Sequence, residues 1–112
     1  MAWIYPVGNS WTSSSGAILG KYQTINSYKE YYLDLSNSNK KIAWNPFPNS
    51  SLSTPNPLIS TSAVTLNQWS FITITGTRNS GANKHDIKIY INGLLDAVEQ
   101  TSYSCSLAPC AG

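Results

Sequence analysis

An all-β fold is predicted by three features of this 112-residue chain. Ser, Thr and Asn supply about a third of the residues, alongside four Trp, seven Tyr and two Phe. Aromatic and β-branched residues suit a pleated, half-buried surface, whereas Ser, Asn, Gly and Pro suit turns. Several short segments alternate apolar and polar residues with period two, the signature of a half-buried strand. Finally, Asn92-Gly93 follows such a segment directly, the strongest short-range hairpin signal. So many aromatics argue against disorder.

Taken in order, Ala2 to Tyr5 is a short apolar run ended by Pro6 and reads as a strand. Gly8, Asn9 and three consecutive serines make Val7 to Gly16 a loop, and Ala17 to Tyr22 a second strand. Gln23 to Glu30 is polar and turn-like. Tyr31-Tyr32-Leu33-Asp34-Leu35 then alternates, with Tyr31, Leu33 and Leu35 on one face and Tyr32 and Asp34 on the other. Asn37-Ser38-Asn39 reads as a hairpin turn, with Lys41 to Trp44 as the returning strand. Pro46, Pro48, Pro55 and Pro57 exclude a strand interior between Asn45 and Pro57. Leu58-Ile59 and Ala63 to Leu66 are candidate short strands. The clearest element is Trp69 to Thr75, followed by a polar loop from Gly76 to Lys84. Asp86 to Ile91 alternates again with Ile87, Ile89 and Ile91 inward, and Leu94 to Val98 pairs back across the Asn-Gly turn.

Composition limits function. Net charge is +2 with scattered basic residues, too faint an excess for counterion-release binding to nucleic acid. No run of 18 apolar residues offers a membrane span, and Met1 to Pro6 lacks the basic and apolar regions of a signal peptide. At this length one domain is expected, burying about two-thirds of its unfolded surface. Cys105 and Cys110 allow two readings: a small disulfide loop in an exported protein, or two free thiols in a frayed terminus. His85 is the one other soft ligand, so a zinc site lacks its four donors. The glycosylation sequon Asn49-Ser50-Ser51 is expected by chance in so Asn- and Ser-rich a chain.

Leu66-Asn67-Gln68-Trp69-Ser70-Phe71-Ile72-Thr73-Ile74-Thr75, a polar loop, and then Lys88-Ile89-Tyr90-Ile91-Asn92-Gly93 resemble the laminin-G-like, concanavalin A-like lectin/glucanase superfamily. Ala2 to Pro6, Ile18 to Lys21 and Tyr31 to Leu35 stand upstream in the family's usual order, so the resemblance covers roughly residues 2 to 99. It implies an antiparallel jelly-roll β-sandwich over residues 1–99, with 100–112 as a tail carrying the cysteine pair. Core packing is the expected role of Trp69 and Trp3, and replacing Trp69 by alanine would then cost about 3–5 kcal/mol. Complete domains of the family run longer, and some terminal strands are lacking here. A small jelly roll, a segment of a larger protein, or a protomer completed by neighbours would each account for that. Open edges make self-association the expectation.

Glucanases of the superfamily need a carboxyl pair on one face of a strand, about 5 to 10 Å apart. Glu30, Asp34, Asp86, Asp96 and Glu99 are the only acids. Glu30 and Asp34 lie across a turn-to-strand boundary, and no two acids sit at i, i+2. His85 beside Asp86 has no nucleophile elbow to serve, so catalysis is not expected. Laminin-G-like domains often hold calcium at the sandwich rim. Asp34, Asp86 and Asp96 sit near strand ends, but their spacing does not converge on a site.

Sugar recognition stacks aromatic faces on sugar rings and satisfies the polar rim with amides and hydroxyls. Tyr22, Tyr28, Tyr32, Trp44, Asn45 and Tyr90 are the outward or loop candidates, with Tyr32 and Tyr90 opposite the Ile/Leu core face. The chain therefore reads as a non-catalytic binding module for glycan or protein, extracellular or particle-associated. An assembly protein that buries these aromatics between copies is the alternative.

Overall fold

A computed structural model describes residues 1–7, 15–22, 29–46, 57–79 and 84–102. It contains β1 (Ala2–Ile4), β2 (Ser15–Tyr22), β3 (Lys29–Ser36), β4 (Lys41–Pro46), β5 (Leu58–Ala63), β6 (Ser70–Asn79), β7 (Lys84–Ile91) and β8 (Leu94–Ser102). Two four-stranded antiparallel sheets result, in the orders β1-β6-β7-β8 and β2-β3-β4-β5. Among the described residues there is no helix.

Pleat parity assigns each side chain to the inter-sheet gap or to an outer face. Leu33 and Leu35 of β3, Ile42 of β4 and Leu58 of β5 enter the gap from the second sheet. Ile72 of β6 and Ile87 and Ile89 of β7 meet them from the first. Ile42, Ile72 and Ile89 are 0% exposed.

The hairpin turns behave as their chemistry dictates. Asn92 and Gly93 both take positive φ (53° and 82°), as a type I′ turn requires. Asn92 also receives the Phe71 amide on Oδ1 at 2.9 Å and donates its own amide to the Phe71 carbonyl at 2.8 Å. The turn thereby extends the pairing of β6. Asn37 to Asn39 form the β3–β4 turn, and Lys40, with φ 57°, closes it by donating its amide to Ser36 at 3.0 Å.

The two sheets are also joined by hydrogen bonds. A register shift separates the Lys41↔Ala63 and Ala43↔Ile59 pairs of β4 and β5. There the Ile42 amide donates to the buried Ser60 hydroxyl (2.9 Å), which donates onward to the Ser62 carbonyl (2.7 Å). The displaced amides of Thr61 and Ser62 donate instead to the Asp96 carboxylate of β8, at 2.6 and 3.2 Å. A carboxylate from one sheet thus occupies edge donors of the other, which would otherwise be open to pairing.

Several expectations need correction. Trp69 is 59% exposed and Trp3 64% exposed, so neither plugs the core. Parity explains why: position 69 shares its face with 71, 73 and 75, while 72 and 74 face inward. The polar stretch from Gly76 to Lys84 is largely strand, because β6 continues to Asn79 and β7 begins at Lys84. One strand, Leu58–Ala63, replaces the two short ones expected around it. Cys105, Cys110 and the loop prolines 48 and 55 lie outside the described residues.

Energetic expectations follow burial. Ile89→Ala is expected to cost about 2–5 kcal/mol in denaturant unfolding, whereas Trp69→Ala should cost about 1 kcal/mol or less. Equal losses would contradict this division of the pleat. Asp96→Ala, which returns the exposed Thr61 and Ser62 amides to water, should cost about 0.5–1.5 kcal/mol in the same measurement.

Candidate functional site

Two outer faces carry the residues with binding chemistry. On the first sheet, β1 pairs with β6 so that Trp3 lies opposite Phe71. Their rings meet with centroids 4.9 Å apart at 35°. The alternation carries on past β1, bringing Tyr5 against Trp69 at 5.3 Å and 56°. One row further along the sheet, Thr73 pairs with Tyr90, and Tyr90 with Leu95. Four aromatic rings in two contacting pairs thus occupy one outer face, with a threonine and Tyr90 beside them. The turn at Asn67, with φ 57° and its amide on the Pro6 carbonyl at 2.8 Å, ties Trp69's approach to the end of β1.

The outer face of the second sheet is smaller and more polar. Tyr32 pairs with Gly20 on one side and Asn45 on the other. A Cβ at position 20 would lie 3.0 Å from the Tyr32 Cβ, so glycine is what lets the tyrosine seat against β2. Asp34, two residues along, is flanked by Ala17 and Ala43. Asp34 is 8% exposed and Asn45 6% exposed, although both belong to the outward row. Asp34 Oδ1 and Asn45 Nδ2 are buried without a hydrogen-bond partner among the described residues. Burial raises the Asp34 pKa above 3.8, partly offset by a hydrogen bond from Ser15. Burial also raises the Tyr32 pKa, and the Asp34 charge raises it further.

Sequence candidates are therefore dispersed. Tyr32 and Tyr90 both face outward, as alternation requires, but on different sheets. Asn45 does adjoin Tyr32, yet it is buried. Trp44 was expected outward and instead faces the gap, because it pairs with inward-facing Leu33. It stacks on Tyr31 with centroids 5.5 Å apart at 23°. Tyr22 ends β2 opposite Lys29, and Tyr28 lies outside the described residues. Trp3, Tyr5, Trp69 and Phe71 were absent from the sequence candidates. The signal that would have found them was the parity of Trp69 with Phe71.

Glu30 and Asp34 do not form a glycosidase carboxyl pair. Glu30 lies within β3, correcting the expected turn-to-strand boundary, and shares parity with Asp34. Four residues of strand nevertheless separate their positions by about 13 Å, beyond the spacing of glycosidase carboxyls. For calcium, Asp34, Asp86 and Asp96 stand on three strands, and Asp96 is already engaged by two amides. Calcium requires six to eight convergent oxygens, and these three carboxylates do not converge. No group of three or more His, Cys, Asp or Glu gathers among them. Among the same residues, no helix is long and apolar enough to cross a membrane.

A laminin G-type family model, described as the concanavalin A-like lectin/glucanases superfamily, matches residues 1–109. The chain belongs to this superfamily, in agreement with its two antiparallel sheets. Searches of curated proteins and of solved structures each found no match. Membership supports a carbohydrate- or protein-binding module in general terms.

The raised Asp34 pKa has a definite sign for stability. The folded state holds this proton more tightly than the unfolded chain, so stability falls as pH rises from about 3.8 through the raised folded value. Asp34→Asn should therefore melt higher than the parent at neutral pH, with the gap closing as pH falls toward 3.8. The same substitution should lower the Tyr32 pKa in an ultraviolet titration, since it removes the neighbouring charge. An unchanged Tyr32 titration would mean the two groups do not interact.

Proposed function

We propose that this protein is a non-catalytic carbohydrate-binding module whose ligand lies on the outer face of the first sheet. The observation that carries this reading is the pair of exposed tryptophans, Trp3 and Trp69, each packed against a second ring on one face. Exposed rings held by neighbours offer flat apolar faces at little entropic cost, which suits the C–H faces of pyranose rings. Thr73, Tyr90 and the exposed Asn67 and Gln68 supply hydroxyls and amides near the platform for the sugar's polar rim. The distance between the positions of Glu30 and Asp34 speaks against that pair as glycosidase carboxyls. The setting this function implies is outside the cell or on the surface of a larger particle.

A second reading is favoured by a different observation. Leu95 and Val98 of edge strand β8 are exposed and continue the aromatic face toward the sheet edge, with Leu94 exposed beside the turn. A contiguous apolar face of this kind also suits a second copy of the chain.

Tryptophan fluorescence titrated with cello-, chito- and laminari-oligosaccharides tests the first reading, with light scattering across a concentration series for the second. Saturable quenching of a monomer supports carbohydrate binding. In that case Trp3→Ala and Trp69→Ala should each weaken affinity about tenfold, the equivalent of ~1.4 kcal/mol for a stacked ring. A stable oligomer that does not quench, and that Leu95→Lys dissociates, would replace this reading with assembly.

A further inference from the structure

Exposed sheet edges invite further pairing, and folds blunt them with bulges, charges, prolines or covering contacts. Most edges of this sandwich are blunted. β5 and β8 are tied together where Asp96 accepts the Thr61 and Ser62 amides. β2 is interrupted by register shifts between Ala17 and Leu19 and between Lys21 and Tyr22. The β1 side of the first sheet differs. β1 pairs with Ser70, Phe71 and Ile72 alone, at the start of the ten-residue β6. Beyond Ile72, β6 itself becomes the edge, and no described strand pairs with it on that side. Its register with β7 runs without a shift from Ile72 to Asn79, and residues 73–77 contain neither a charge nor a proline.

Pairing parity identifies the open main-chain groups. The Phe71 carbonyl accepts the Asn92 amide at the end of β7. Antiparallel ladders alternate, so Thr73, Thr75 and Thr77 direct their main-chain groups to β7, while Ile72, Ile74 and Gly76 direct theirs the other way. Ile72 meets Ala2 of β1, but Ile74 and Gly76 meet no described strand. Thr75, Gly76 and Thr77 are exposed, as an open edge requires. The same positions form the inward row, where Ile74 packs on the core and Gly76 follows it. Beside them an open cleft of about 210 Å³ has Leu19, Leu33, Trp44 and Ile87 in its walls. A Cβ built at Gly76 meets no atom within 4 Å, so the position leaves room for a neighbour's side chain.

We propose that the β6 edge from Ile74 to Thr77 receives an extended segment of another polypeptide as an added antiparallel strand, in line with β1. The unpaired groups are main-chain N–H and C=O groups at strand spacing, which an extended backbone satisfies. Cross-strand partners share a face, so the residues opposite Ile74 and Gly76 point toward the cleft and are aliphatic. The larger of the two stands opposite Gly76. The residue between them lies beside Thr75 and is polar. A second copy pairing its β6 here is a poorer match, since it brings a glycine and an Ile74 already packed on its own core. The site uses main-chain groups and the inward row, and is independent of the outward aromatic face.

The probe is the synthetic peptide acetyl-Lys-Thr-Leu-Thr-Val-Thr-amide, which sets leucine opposite Gly76 and valine opposite Ile74. A matched control carries N-methylleucine, keeping the side chain but losing the main-chain donor. The full chain, labelled with 15N, is titrated with each peptide, and amide exchange and light scattering are followed alongside. The first peptide should shift the Ile74 and Gly76 amides saturably and slow their exchange about tenfold. N-methylation should weaken binding about tenfold, and leucine replaced by alanine about fivefold. Gly76→Lys, which sets a charge on the inward row, should abolish binding while keeping a dispersed spectrum. Equal binding of the N-methylated peptide, shifts confined to other strands, or undiminished binding by Gly76→Lys would overturn the proposal. So would a Gly76 amide already protected in the free chain, through its own segment in a monomer or through a second copy in a dimer. Should Gly76→Lys not fold, the two peptides compared on the parent chain still decide it.

Discussion

A gap about 10 Å wide between two sheets holds little more than one interdigitated layer of side chains, and this constraint governs the molecule. Ile42, Ile72 and Ile89 occupy its centre completely, with Leu33, Leu35 and Ile87 around them. Branched aliphatics fill such a layer well, leaving limited room for an indole. Most of the described aromatic residues are consequently displaced to outer faces, where Trp3 and Trp69 are exposed. Trp44 enters the gap beside Leu33 and stacks on Tyr31.

Such a layer alone does not prevent one sheet from sliding over the other. Directional restraint comes from a few polar groups at the margins. Asp96 reaches from β8 to the amides of Thr61 and Ser62, and Ser60 repairs the β4–β5 irregularity from the buried side. Asn92 performs a similar service within the first sheet by bonding both main-chain groups of Phe71. Those bonds fix the main chain of Phe71, whose ring contacts Trp3. Turn chemistry therefore reaches directly into the geometry of the aromatic platform.

The second sheet presents the opposite arrangement. Its outward row buries a carboxylate and an amide, each with one polar atom unpartnered among the described residues, beside a tyrosine that requires a glycine across the strand. Burial without full pairing sets folding against the charged form of Asp34, which is why its pKa rises. Groups of this kind cost stability and are concentrated where proteins bind or react. Here the cost is local, because the aliphatic layer behind Leu33 and Leu35 does not depend on Asp34.

Period-two alternation, proline placement and the Asn92-Gly93 turn made the all-β class, the strand order along the chain and the inward isoleucines of β7 legible in sequence. These properties are local, fixed by a strand's own pleat and by backbone conformations that only certain residues accept. Parity also held the correct side for Trp69, but its size and apolarity argued for the core. Competition for space decided against it, because aliphatic residues from four other strands already filled the layer. Tertiary structure alone decided that Tyr32 and Tyr90 occupy different sheets, that Trp44 turns inward between Leu33 and Leu58, and that Asp96 meets β5. Each depends on which strands become neighbours, and hydrogen bonding between residues as distant as Thr61 and Asp96 is not encoded in the spacing of either segment.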